Sequence, residues 1–164
     1  SSVLILFCSL AAHCVHDKQK SPTLTISNTK IYLGRTNFSD ANEIFETRTA
    51  SDIFIHPDWD LFSGSFDADI AIIKLSSPVN FTDNIKPACM PVDTVNVYDI
   101  MGYVAGYGLT ENSNKGNQEE SPKHIQIPTV LQDKCLFDYP EYAKIASNRT
   151  FCAGELETRK IPCK

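Results

Sequence analysis

Apolar residues occur along the chain in short runs separated by clusters of Asn, Asp, Ser and Pro, a rhythm that suits brief β-strands better than helices. Runs rich in Val, Ile, Thr, Tyr and Phe predict strands over 3–7, 23–27, 30–33, 43–49, 53–55, 70–75, 103–107, 124–127 and 150–153. Helical pattern is scarce. Its best stretch is 130–137, where Thr129 can cap the first-turn amides and Pro140 stops any extension. The polar segment 111–122 reads as a surface loop. Pro78, Pro87 and Pro91 mark 76–96 as an irregular connector between two strand-rich halves. No fixed-period repeat or low-complexity tract is present. The pattern predicts an all-β chain divided near Asn96.

Composition narrows the partners. The 164 residues are 42% hydrophobic and 21% charged, enough for one core of ordinary size. A net charge of -5 lacks the clustered Lys and Arg that nucleic acid or anionic lipid requires, so neither nucleic acid nor membrane is an expected partner. Six cysteines at scattered spacings and four distant histidines form no zinc pattern, so no metal or other cofactor is expected and disulfides are the better reading. Three glycosylation acceptor triplets begin at Asn37, Asn80 and Asn148. With the cysteines they predict a secreted, extracellular protein. The apolar stretch 3–12 shares the small-residue exit of a signal peptide. Nothing basic precedes it, so it is read as a strand entering a tight turn.

Two segments carry candidate chemistry. In Leu10-Ala11-Ala12-His13-Cys14, small side chains let the backbone turn tightly, and a disulfide at Cys14 can pin the imidazole. A lone histidine is ordinarily a packed one; a partner makes it a general base. Asp69 heads the apolar run 70–75, expected to be buried on both faces, where a carboxylate is costly without strong donors. Were His13 Nδ1–H that donor, Asp69 would fix the imidazole tautomer and leave Nε2 to take a proton from a serine hydroxyl. The nearby Asp67 lies in a loop and reads as a solvated acid.

These two segments, with Ile55-His56-Pro57, the run Lys86 to Pro91, the run Gly102 to Gly108 and Phe151-Cys152-Ala153-Gly154, stand in an order that resembles the middle of a chymotrypsin/trypsin-like serine endopeptidase. The family usually has Trp where Tyr107 stands. The resemblance covers nearly the whole chain. It implies two antiparallel six-stranded β-barrels, both incomplete here, with residues 1–96 supplying part of the first plus the connector and 97–164 part of the second. It implies His13 as general base, Asp69 as its orienting acid, and polypeptide as substrate.

The same resemblance implies a Cys135–Cys152 disulfide and joins Cys14 to an upstream cysteine, with a Cys8–Cys14 bridge as fallback. Cys89 would tether a propeptide or light chain, and Cys163 would pair with a cysteine past position 164. Protease inhibitors are further expected partners. The nucleophile belongs to a Gly-Asp-Ser-Gly-Gly run expected after Lys164, so residues 1–164 alone are expected to be inactive and to fold marginally, with strand edges unpaired. Ile161 falls where trypsin-like members place the Asp at the base of the primary pocket, which implies an apolar or undefined preference. His56, Trp59 and His124 read as structural, and Gly106 and Gly108 as backbone-clearance glycines, not a phosphate loop. The alternative function is a homologue without the serine, acting as a binding or regulatory module on the same scaffold.

Overall fold

The computed structural model describes residues 5–15, 26, 29–91, 96–107 and 121–154. They form an all-β chain of antiparallel sheets, as the patterning predicts. The chain divides into two units, one made of Ser1–Arg35, Ile44–Met90 and Lys144–Thr150, the other of Thr36–Glu43, Pro91–Ala143 and Phe151–Lys164.

In the first unit, strands β1 (Ile5–Leu10), β2 (Lys30–Leu33), β3 (Glu46–Ile55) and β4 (Ala71–Val79) form a sheet in the order β1-β4-β3-β2. The register pairs Leu10 and Ile55 with Ala71, and Cys8 and Ile53 with Ile73. Side chains alternate across a strand, so these rows point to the same face. On that face Ala12, Val15 and Ala71 gather Leu10, Ile53, Ile55 and Trp59, while Leu75, Val79 and Ile85 gather Cys8, Ile31 and Leu33. Gly34 ends β2 at φ +77°, and a Cβ there would lie 2.9 Å from Ile85 Cγ1, so the close approach of Ile85 depends on glycine.

Four expectations change here. β4 is buried on one face only: Ala71, Ile73 and Leu75 are inside, whereas Ile72, flanked by Ser9 and Phe54 on the neighbouring strands, is 42% exposed. Its apolar run reflects two environments. The predicted strands 43–49 and 53–55 fall in the one strand β3 from Glu46 onward, with 43–45 outside it. The polar Ser51 between them is the extra residue of a bulge, its hydroxyl donating to the Lys74 carbonyl at 3.3 Å. Residues 76–79 of the predicted connector extend β4. Past Leu75 the strand no longer pairs with β3, so Pro78 sits on an open side where the Arg48 guanidinium donates to its carbonyl. Finally, the first predicted strand runs to Leu10. The strand predicted at 23–27 falls outside the described residues except for Ile26.

In the second unit, β5 (Met101–Gly106), β6 (Lys123–Val130) and β7 (Cys152–Ala153) pair antiparallel in that order, and helix α1 (Gln132–Asp138) follows β6. Thr129 does not cap the helix. Its hydroxyl and amide bind the backbone of Ile100 instead, and the helix starts after Leu131 with no side-chain cap. Tertiary pairing of a buried hydroxyl outweighs the local cap. Pro140 ends α1 but opens a 3-10 turn, Pro140–Lys144. Thr150 bonds to Ser147 rather than joining β7, and the disulfide Cys135–Cys152 fastens the helix to that strand.

Two perturbations check this account by denaturant unfolding of the full-length protein. Leu75→Ala should lower stability by about 2–5 kcal/mol through lost burial and a residual cavity. Opening Cys135–Cys152, which spans a sequence separation of 17, should cost about 3 kcal/mol. Losses under half of these would mean that neither feature holds its unit together.

Candidate active site

His13 lies on a single 3-10 turn, Ala12–Cys14, that leaves β1. The turn exists because Ala12 and Val15 are small enough to bury against Ala71, while Cys14 N–H donates to Ala11 O at 3.2 Å and Val15 N–H to Ala12 O at 3.0 Å. Burying Ala12 and Val15 turns the imidazole between them outward. Among the described residues no disulfide pins it, and the Cys14 thiol is exposed.

Asp69 stands two residues before Ala71, whose partner across the β1–β4 ladder is Leu10. Antiparallel pairing therefore brings the exit of β1 and the entrance of β4 to one sheet edge. Immediately before Asp69, Ala68 is buried with φ at +54°, a conformation that costs an alanine about 1–3 kcal/mol and persists only where the surroundings hold it. Ile70 N–H closes this kink onto Ala68 O at 2.7 Å.

The result is a two-point contact across 56 positions. His13 N–H donates to Asp69 Oδ1 at 2.9 Å, and His13 Nδ1 lies 2.6 Å from Asp69 Oδ2. An ionised carboxylate only accepts, so Nδ1 carries a proton, and in the neutral ring that leaves the lone pair on Nε2. The Asp69 side chain is 13% exposed and the His13 side chain 52%, so the acid is shielded while the imidazole remains reachable. The Phe66 ring meets the imidazole edge-on at 6.1 Å.

Asp67 is not a free solvated acid. Arg149 Nε and Nη2 donate to its two oxygens at 2.9 and 2.5 Å, and Arg149 Nη1 donates to Asp58 at 2.6 Å. Side-chain hydrogen bonds from Arg149 first, then Ser147, pull Asp67 from 3.8 down to about 2. The bonds to Asp67 and Asp58 raise Arg149 above its ordinary value. The folded value of Asp67 lies below its unfolded one, so this pairing favours folding above about pH 4 and is lost as pH falls toward 2. Sequence reasoning missed the role of Arg149, which is 82 and 91 positions from its acids and stands in an acceptor triplet that points to no carboxylate partner.

The remaining candidates fall elsewhere. His56 Nδ1 accepts from Asp58 N–H at 3.1 Å, and Trp59 packs on the Ala12 cluster. The Cys8–Cys14 bridge is not formed. Cys8 points to the inner face with Ile73, where burial raises its thiol, and Cys89 is an exposed free thiol. Asn37 is half-buried, its Oδ1 accepting from Ser39 N–H at 2.9 Å, while Asn80 and Asn148 are exposed. In the second unit His124 is exposed beside Tyr103. Ile161 and Cys163 lie outside the described residues, as do Gly108 and most of the 111–122 loop. Among the described residues no cluster of His, Cys, Asp and Glu is arranged to hold a metal, and no helix is long and apolar enough to cross a membrane.

A family model described as Trypsin matches residues 10–164. Clotting factor C of Tachypleus tridentatus is 30% identical over 161 residues, covering 93% of this chain and 15% of the relative. Serine protease gd of Drosophila melanogaster is 31% identical over 161 residues, covering 88% of this chain and 30% of the relative. CLIP domain-containing serine protease B15 of Anopheles gambiae is 29% identical over 154 residues, covering 89% of this chain and 42% of the relative. The chain thus spans less than half the length of each of these relatives.

The kink at Ala68 is open to test by denaturant midpoints. Ala68→Gly should change stability by less than about 1 kcal/mol, because relief of strain offsets the freedom given to the unfolded chain. Ala68→Val should cost about 2 kcal/mol or more, since a β-branched side chain is poorly accommodated at positive φ. A valine variant as stable as the parent would remove the positive φ from this account.

Proposed function

We propose, for a chain that belongs to the trypsin family, a secreted serine endopeptidase in which His13 is general base and then general acid, and Asp69 orients it. The observation that supports this most directly is the Asp69 carboxylate receiving both the ring and the backbone N–H of His13. That contact fixes the ring in the tautomer and direction a proton acceptor needs. In the full protein a serine hydroxyl, placed by the resemblance after Lys164, gives its proton to His13 Nε2 as its oxygen attacks the peptide carbonyl. The imidazolium that forms is stabilised by Asp69. The proton then passes to the leaving amine, and water, activated by the same nitrogen, releases the acyl group.

The substrate is a polypeptide. Ile161, at the position the resemblance assigns to the base of the primary pocket, offers no carboxylate to a Lys or Arg side chain, so the preference is apolar or undefined. The Cys135–Cys152 disulfide and the acceptor triplets at Asn37, Asn80 and Asn148 fit an oxidising, extracellular setting, with Cys89 as a tether for a propeptide or light chain. Residues 1–164 contain no Gly-Asp-Ser-Gly-Gly run, so the covalent step of this reading needs a serine outside them.

Peptide-ester turnover and labelling by a serine-directed fluorophosphonate, both on the full-length protein, test the reading. Asp69→Asn should lower kcat by about 10⁴-fold and His13→Ala by about 10⁶-fold, with labelling slowed in parallel. A full-length protein that neither turns over esters nor takes the label would instead be a non-catalytic homologue serving as a binding or regulatory module.

A further inference from the structure

The loop that delivers Asp69 carries Asp58, Asp60 and Asp67 and exposes Phe62, so it has mutual repulsion and little core of its own. It is closed instead by the segment 144–150 of the same unit. The Ile145 carbonyl accepts from Phe66 N–H at 3.2 Å and from the Ser65 hydroxyl at 3.4 Å. Arg149 grips both ends of the loop, with a two-pronged fork on Asp67 and one further N–H on Asp58. Only Ala68, held at positive φ, separates the gripped Asp67 from Asp69.

An isolated exposed ion pair contributes little. A guanidinium fork differs because it fixes the plane of the carboxylate as well as its distance, and here one cation also serves a second acid. Orientation is what Asp69 needs. A turn about the backbone at 67–68 would swing its carboxylate off the two N–H groups of His13.

We infer that Arg149 is a positioning residue for the His13–Asp69 pair, setting through Asp67 and the kink at Ala68 the direction from which the carboxylate meets the imidazole. The inference deepens the catalytic reading and rests on it for its effect on turnover. Its effect on geometry can be read without turnover.

The test compares Arg149→Gln, Arg149→Lys and Asp67→Asn in the full-length protein. Its readouts are the downfield proton resonance of His13 Nδ1–H and kcat and KM on a peptide ester. Arg149→Gln should broaden the Nδ1–H signal or move it upfield. It should also lower kcat about 10- to 100-fold with KM little changed, the scale expected of a misplacement near 1 Å. Arg149→Lys should recover only part of both, because an ammonium has no fork. Combining Arg149→Gln with Asp67→Asn should be no worse than the poorer single variant, as a shared interaction requires.

An unmoved Nδ1–H resonance with unchanged kcat would overturn the inference, even if the melting point fell, and would leave Arg149 a stability device. Should Arg149→Gln not fold, the lysine variant reads the same two quantities. If Asp69→Asn leaves turnover intact, the catalytic reading fails, while the resonance still reports whether Arg149 aligns the pair.

Discussion

The first unit is organised around one carboxylate that accepts two N–H groups from one residue. Asp69 takes the backbone and the ring of His13 together, and each bond constrains the other. The backbone bond fixes how far the turn after β1 stands from the entrance to β4. The ring bond then leaves the imidazole a single useful orientation. An acid with only 13% of its side chain exposed needs such donors, because shielding an unpaired carboxylate from water is costly. The stability requirement of the acid and the orientation that the proposed general base needs are met by the same contact.

Small residues make that contact geometrically available. Ala12 and Ala71 are almost fully buried against each other, so the turn bearing His13 lies directly on the first residue of β4. Larger side chains at either place would push the turn outward and lengthen both bonds, the usual consequence of overfilling a packed interior. Trp59, next to Asp58, covers the same cluster from the loop that delivers Asp69, tying one end of the loop to the core while Arg149 joins both ends. The kink at Ala68 survives because it is enclosed between β4 and this clamped stretch.

Local patterning was a good guide to where strands exist and a poor one to where they stop. The strand Lys30–Leu33 agrees with its alternation, whereas Ser51 looked like a break between strands and is a bulge inside one. A break and a bulge present the same polar residue to a sequence reader; they differ only in whether a partner strand continues alongside. Thr129 illustrates the same ambiguity. Its position before a helical run marks it as a cap, yet a buried hydroxyl bonds to whichever backbone group lies nearest, and that is Ile100.

The all-β character, the Cys135–Cys152 bridge and the identity of His13 and Asp69 as a pair could be read from the order of residues. Strand rhythm is a local property, and the resemblance to a known family carried the two long-range pairings. Other features had to await the folded molecule: which face of β4 meets water, the separation of the Cys8 and Cys14 thiols, and the grip of Arg149 on Asp58 and Asp67. Each depends on groups far apart in the chain meeting at hydrogen-bond or packing distance. Side-chain interactions at that range fall off within a few ångströms, so only the folded arrangement of the strands decides them.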